Sequence, residues 1–327
     1  MTVEENIQAQ CRAVLAGYTL PPLRAVEARE SGMNNTTRYA VLEDGSLRVV
    51  RIYENHTDEA KLRTEHELLL KLSRERLPFA VPCPVAADNG ATWVTTPSGK
   101  PAALFHYLEG ERPGQQDRSL AGEYGRTVGR LVQTLAKVEL AEPPAYPAYD
   151  ELLDITEEDL RTVADSFRRS PALAAAAEDA AELLDQVTAL KKSAGELHRL
   201  PRQLIHGDVS FANLLTQDGR VSAVLDFEFA TRDIRAMELA VCLAEQLSVP
   251  GGLDGELIRE MIAGYEAILP LEAEERRLLP HLVKLRKLDV FLHFWHRREA
   301  GLDPDEVLLD QTKRSVRVCR FVDQALR

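Results

Sequence analysis

The chain has 327 residues, 45% of them hydrophobic and 28% charged, with a formal net charge of −12. Single cores stop growing beyond about 250–300 residues, so this length predicts two cores, and the apolar fraction excludes a largely disordered chain. The acidic balance, with no Lys/Arg cluster, argues against a nucleic-acid partner; it suits a cationic or zwitterionic ligand and equally serves solubility.

Cys11, Cys83, Cys242 and Cys319 are too scattered for a zinc site or a disulfide scaffold and read as reduced thiols. The stretch from Met1 to Ala16 has no apolar signal core, and no apolar run reaches about 18 residues. A cytoplasmic protein without membrane contact is expected.

A short helix opens the chain. Strands are predicted from Arg24 to Glu30, Tyr39 to Leu42 and Leu47 to Tyr53, separated by a polar loop at Ser31 to Thr37 and by the Asp44-Gly45 turn. Asp58 to Arg76 then takes up helical period, with Leu62, Leu69 and Leu72 on one side. Strands at Trp93 to Thr96 and Ala102 to Leu108 flank a Pro97-Ser98-Gly99 turn, and Gly110 with Pro113-Gly114 marks a linker. The boundary falls near Leu108, giving domains 1–108 and 109–327. Helical patterns follow at Leu120 to Leu140, Asp150 to Arg169 and Ala172 to Leu190. Residues 203–229 interrupt them as strand, loop and hairpin. Helices resume at Met237 to Gln246, Asp254 to Leu269, Glu272 to Glu299 and from Pro304 onward.

The chemistry concentrates in His206-Gly-Asp208-Val-Ser-Phe-Ala-Asn213, with Asp226 ending the next apolar strand. Asn213 lies five residues after Asp208, and Asp226 thirteen after Asn213. The catalytic loop of kinases has the same Asp-to-Asn gap and a following metal-binding Asp. Phosphoryl transfer needs these residue types because the protein chiefly positions a hydroxyl and neutralises phosphate charge. Asp208 is the candidate base for the hydroxyl. Asn213 and Asp226 offer a neutral and an anionic oxygen to a hard cation. His206 reads as a brace for the loop, and the bland alternative for the whole block is a polar turn between core strands. No P-loop, dinucleotide or serine-hydrolase signature occurs.

Leu204 to Asn213 and Val224-Leu-Asp-Phe-Glu-Phe-Ala230 resemble the catalytic and metal motifs of the aminoglycoside phosphotransferase and choline kinase superfamily, most closely its homoserine-kinase-like branch. Ser31-Gly-Met-Asn-Asn-Thr-Thr-Arg-Tyr-Ala-Val41 is similar to that branch's nucleotide loop, and Leu104-Phe-His-Tyr-Leu-Glu-Gly110 to its hinge. The resemblance covers nearly the whole chain. It implies an α+β, protein-kinase-like two-lobed fold: a small β-rich N-lobe with one helix, a larger mostly helical C-lobe, and ATP with Mg2+ between them. It further implies that Gly32, Asn35, Thr36 and Arg38 cover the phosphates, that Arg51 contacts them with Glu65 orienting it, and that Phe105 and Tyr107 border the nucleotide. Arg51 stands where many kinases place lysine, Glu228 follows Asp226-Phe227 in place of glycine, and Glu238-Leu-Ala240 replaces Asp-Leu-Ala. Glu238 is read as structural. Arg51 and Glu65 as mere solvated charges form the bland alternative.

His293 and His296 share a helix face at a spacing that could suit a metal, and Phe291, Phe294 and Trp295 either line an acceptor pocket or pack the core. The acidic run Asp150 to Asp159 either attracts an amine or forms a solvated helix face. The expected activity is ATP-dependent phosphorylation of a small-molecule hydroxyl on an amino alcohol or hydroxy amino acid, with homoserine named by resemblance alone. Choline, an aminoglycoside or a sugar is the alternative acceptor. A catalytically weak nucleotide-binding pseudokinase or scaffold is the alternative class, suggested by Arg51 and the glycine-poor loop and opposed by the intact Asp208, Asn213 and Asp226. Oligomeric state is left open, a homodimer included.

Overall fold

The computed structural model describes residues 2–29, 35–54, 58–114 and 117–325. They form two compact units. The first comprises Met1–Glu111, Val138–Ala145 and Ser222–Glu228, and the second comprises Arg112–Lys137, Tyr146–Val221 and Phe229–Arg327.

The first unit opens with α1 (Val3–Leu15), whose start is fixed by a reciprocal cap: Thr2 Oγ1 accepts from the Glu5 N–H at 3.2 Å, and the Glu5 carboxylate accepts from the Thr2 N–H at 2.7 Å. Then come β1 (Leu23–Glu27), β2 (Asn35–Leu42), β3 (Leu47–Tyr53), α2 (Glu59–Leu72), β4 (Val94–Thr95) and β5 (Pro101–His106). The five strands make one antiparallel sheet in the order β1-β2-β3-β5-β4. Side chains alternate across it. Val50, Ile52, Ala102 and Leu104 face α1, packing with Cys11, Val14 and Leu15. Arg51 and Tyr53 therefore point to the other face. β2 starts four residues earlier than its composition suggests, because β3 supplies backbone partners as far as Asn35 opposite Tyr53. Asn35, Thr36 and Thr37, read from sequence as loop, are strand.

A second connection brings distant chain into this unit. The segment around Ala80 pairs in parallel with Ala223, through Ala80 N–H to Ser222 O at 2.8 Å and Val224 N–H to Ala80 O at 3.0 Å. The same segment continues onto β5, with Val85 N–H donating to Leu104 O at 2.7 Å. Residues 222–228 are thus carried to the sheet, which a single boundary near Leu108 does not anticipate.

The second unit holds α3 (Ala121–Leu135), α4 (Glu157–Arg169), α5 (Ala177–Lys191), α6 (Ala194–Leu197), β6 (Arg202–Ile205), β7 (Leu214–Gln217), the start of β8 (Arg220–Val224), β9 (Thr231–Ile234), α7 (Met237–Ser248), α8 (Gly255–Glu266), α9 (Ala273–Glu299) and α10 (Asp305–Ala325). β6 pairs antiparallel with β9, and β7 with β8. β9 reads Thr-Arg-Asp-Ile, too short and charged to signal a strand; its pairing with β6 makes it one. α7 is buried at every position but Glu245, as a central core helix must be. α9 packs on α7 and α10, and α3 on α8. The α3–α8 crossing is so close that a Cβ on Gly125 would lie 2.0 Å from Met261 O.

The predicted helix from Asp150 is split. Tyr149–Asp154 is a 3-10 turn, extended Ile155 breaks it, and α4 restarts after Thr156, whose Oγ1 accepts from the Asp159 N–H at 3.1 Å. Asp150 is buried and bound by Arg202 at 2.5 Å, so the acidic run is no uniformly solvated helix face. Among the described residues no helix is long and apolar enough to cross a membrane.

Candidate active site

In the first unit, Arg51 is a hub for three carboxylates. Its Nη1 donates to Glu65 at 3.3 Å, and its Nη2 to Asp226 and to Glu228, both at 2.8 Å. β3 supplies the arginine, α2 the first acid, and the 222–228 segment the other two. The guanidinium also sits 5.1 Å from the centre of the Tyr53 ring, a cation–π contact. Arg51 and Glu65 are no surface pair: their side chains are 15% and 5% exposed. One positive charge meets three negative ones, a formal excess of two. Burial first, then the repulsion of Asp226 and Glu228, push Glu65 up to about 7 against the pull of Arg51. Asp226 holds φ at +66°, a left-handed conformation that costs a non-glycine residue about 1–3 kcal/mol and that marks functional sites.

The other residues drawn from the resemblance to a nucleotide loop and hinge are spread along the sheet. Gly32 lies outside the described residues. Asn35 Nδ2 donates to Glu228 at 3.0 Å, while its Oδ1 is buried without a hydrogen-bond partner among the described residues. Thr36 Oγ1 donates to Glu54 at 2.7 Å. Arg38 turns to α1 and pairs with Glu4 at 2.6 Å. Phe105 is buried edge-on to His66, with ring centres 5.6 Å apart, and Tyr107 lies partly exposed, edge-on to Tyr39 at 6.0 Å.

In the second unit, β6 delivers the chain into the loop that carries Asp208. The buried Glu238, near the start of α7, accepts from the backbone N–H of His206 and of Gly207, the latter at 3.3 Å. Burial pushes Glu238 up to about 8, against the lowering effect of those two N–H groups. Gly207 has φ +80°, and a Cβ there would lie 2.8 Å from Phe229 O, so only glycine fits this turn. His206 is fully buried and its Nδ1 accepts from the Asp208 N–H at 3.2 Å. Tyr124 of α3 donates to Val209 O and Tyr149 donates to Gly207 O, each at 2.6 Å.

The Asp208 carboxylate is gripped from two sides. Asn213 Nδ2 donates to its Oδ2 at 3.0 Å and to its backbone carbonyl at 2.8 Å. Arg286 of α9 donates through Nη2 to Oδ1 at 2.9 Å, through Nη1 to Tyr149 Oη at 2.7 Å, and through Nε to Glu245 at 3.3 Å. The carboxylate is thereby fixed in orientation while a quarter of its side chain stays exposed, 24%.

Asn213 and Asp226, each within its own unit, carry oxygens of the kind a hard divalent cation takes. Asn213 commits its amide nitrogen to Asp208, so the oxygen is the side-chain atom that could ligate a metal. Asp226 offers a carboxylate that is 32% exposed, in a cluster with surplus negative charge. Sequence reasoning missed Arg286, Tyr149 and Tyr124. For Arg286 a signal existed: Lys284, Arg286, Lys287 and Asp289 are set among Leu282, Leu285, Leu288 and Leu292, which bury one stripe of α9. Phe291 and Trp295 are buried, Phe291 against Phe167 with ring centres 5.9 Å apart and Trp295 donating to Ser166 at 2.7 Å, so both serve the core. His293 and His296 are exposed.

A family model described as a phosphotransferase enzyme family matches residues 25–281. The homoserine kinase of Gluconacetobacter diazotrophicus is 30% identical over 300 residues, 89% of this chain and 87% of that protein. The homoserine kinase of Phenylobacterium zucineum is 28% identical over 303 residues, 88% and 85% of the two chains. Among solved structures, an amicoumacin kinase in complex with AMP-PNP, Ca2+ and Ami superimposes with a TM-score of 0.69 at 17% identity, covering 96% of this chain and 93% of that one. A microcompartment-associated aminopropanol kinase gives 0.67 at 18% identity, covering 98% and 97%. These likenesses identify the fold as that of the protein-kinase-like phosphotransferases.

Proposed function

The chain belongs to the phosphotransferase enzyme family, in the homoserine-kinase-like branch of the aminoglycoside phosphotransferase and choline kinase superfamily, and from that premise we propose that it moves the γ-phosphate of ATP to the hydroxyl of homoserine or a closely similar hydroxy amino acid. That it is an enzyme passing phosphate to a hydroxyl of a small molecule follows from the family. The observation that supports homoserine is the similarity to homoserine kinases along most of both chains.

Asp208 accepts a hydrogen bond from the acceptor hydroxyl, whose oxygen attacks the γ-phosphorus as the bond to the β–γ bridging oxygen breaks and ADP leaves. The hydroxyl proton passes to Asp208 and on to solvent. Asn213 and Arg286 hold the carboxylate so that little reorientation accompanies the step. Arg51, oriented by Glu65, meets the phosphates with its guanidinium. Asn213 and Asp226 would hold the magnesium ion, which supplies neutralisation of phosphate charge when bound.

The test is ADP release from Mg-ATP against homoserine, serine, threonine, choline, ethanolamine, aminopropanol, an aminoglycoside and sugars. Stimulation by homoserine well above the others is the expected result. Stimulation by choline or an aminoglycoside with none by homoserine contradicts the acceptor assignment and leaves the phosphotransferase assignment standing.

A further inference from the structure

We infer that Glu228 is a positioning residue matched to Arg51: it sets the plane of the guanidinium and shares Nη2 equally with Asp226, so that the more exposed Asp226 does not hold the guanidinium alone and can also serve a cation. The inference rests on the phosphotransfer reading and adds a residue to it.

The geometry is specific. Glu228 Oε2 accepts from Arg51 Nη2 at 2.8 Å and from Asn35 Nδ2 at 3.0 Å, so one oxygen ties β3 to the first residue of β2. Asp226 Oδ1 accepts from that same Nη2, also at 2.8 Å. The Glu228 side chain is 3% exposed and the Asp226 side chain 32%, so Glu228 is the fixed acceptor and Asp226 the one open to a ligand. Arg51 reaches Glu65 through Nη1 and the other two acids through Nη2. A planar fork can serve both directions at once; a lysine ammonium, a single point on a shorter reach, cannot. Lysine at position 51 would put a single point charge where a two-directional fork serves three carboxylates, and neutralising position 228 would reduce that excess of negative charge.

The pairing therefore predicts suppression. Arg51→Lys, Glu228→Gln and the double variant are compared with the unmodified protein by unfolding midpoint without nucleotide, by Mg-ATP dissociation constant, and by the Mg2+ concentration giving half-maximal binding. Each single change is expected to weaken Mg-ATP binding by about tenfold, Glu228→Gln to raise the Mg2+ requirement, and the double variant to bind better and melt higher than Arg51→Lys alone. Losses in the double variant that equal the product of the two singles, or a Glu228→Gln protein with unaltered Mg2+ requirement, overturn the inference. Should Glu228→Gln not fold, the uncharged Glu228→Met takes its place in the cycle. Should the unmodified protein bind no Mg-ATP, the phosphotransfer reading fails by itself, and the cycle of unfolding midpoints still decides whether positions 51 and 228 are coupled.

Discussion

Arg286 and Asp208, 78 residues apart in the chain, meet with Nη2 2.9 Å from Oδ1. The contact belongs to a closed ring, because Arg286 also donates to Tyr149 and Tyr149 donates to Gly207, the residue before Asp208. Arg286→Gln keeps some hydrogen-bonding capacity but loses the charge and the fork. We expect kcat to fall by about 10²-fold, the scale at which misplacement of a reacting group is felt, with little change in the KM for ATP. Arg286→Lys should recover part of the loss. Steady-state kinetics on the best acceptor checks this, and an ATP KM that rises as much as kcat falls would move Arg286 out of the role of holding Asp208.

Glu238 supplies the acceptors for two consecutive backbone N–H groups of the same loop. Glu238→Ala strands both in the core. A buried donor without a partner costs about 1–3 kcal/mol, so the variant should lose about 3 kcal/mol in urea unfolding and nearly all turnover. Full turnover in a folded Glu238→Ala protein would show that the loop is held without this carboxylate.

His66 gives the protein an acid-sensitive point. Its ring is 1% exposed, edge-on to Trp93 and Phe105 and 3.0 Å from Tyr53 Oη, and burial pushes it down to about 3, with Arg51 repelling the imidazolium. Unfolded, the same residue titrates at about 6.5. Between these values the unfolded chain binds more protons than the folded one, so stability falls as pH drops through this window. At pH 5 the penalty from His66 is about 2 kcal/mol relative to neutral pH. His66→Gln removes that contribution: urea midpoints measured at pH 7 and pH 5 should converge in the variant relative to the unmodified protein. An unchanged gap would mean that His66 is protonated in the fold.

Gly125 sets the approach of α3 to α8. An alanine Cβ there would stand 2.0 Å from Met261 O and 2.8 Å from Tyr265 N, both backbone atoms that cannot turn aside. Gly125→Ala should cost more than about 3 kcal/mol, as forced overpacking against backbone does, and should also lower turnover, since the neighbouring Tyr124 holds Val209 O. Thermal unfolding decides it, and a melting temperature within a few degrees of the unmodified protein would contradict so tight a crossing.

The fold class was legible through the resemblance carried by the motifs at 204–213 and 224–230, and the individual elements through their apolar period and local turn residues. Asp208, Asn213 and Asp226 stood out because their spacing is set by one short loop and one hairpin. What escaped depended on contacts distant in sequence. β2 begins at Asn35 because of its partner strand, and β9 exists because β6 is beside it. Glu228 was visible as a departure from glycine, yet its tie to Arg51 spans 177 residues and its tie to Asn35 spans 193. Arg286 could be singled out as a charge set among the buried leucines of α9, but its partner, on a loop 78 residues earlier, could not.

The most direct test of the account is turnover by Asp208→Asn, measured as acceptor-dependent ADP release alongside the Mg-ATP dissociation constant. Asparagine keeps the shape, and its one oxygen can still accept from Arg286, but its amide nitrogen can neither accept from Asn213 Nδ2 nor take the hydroxyl proton. The account predicts a loss of turnover by about 10²–10⁴-fold, with Mg-ATP affinity within a few fold of the unmodified protein. Turnover close to that of the unmodified protein would contradict it, and would mean that the proton leaves the acceptor by a route that does not pass through Asp208.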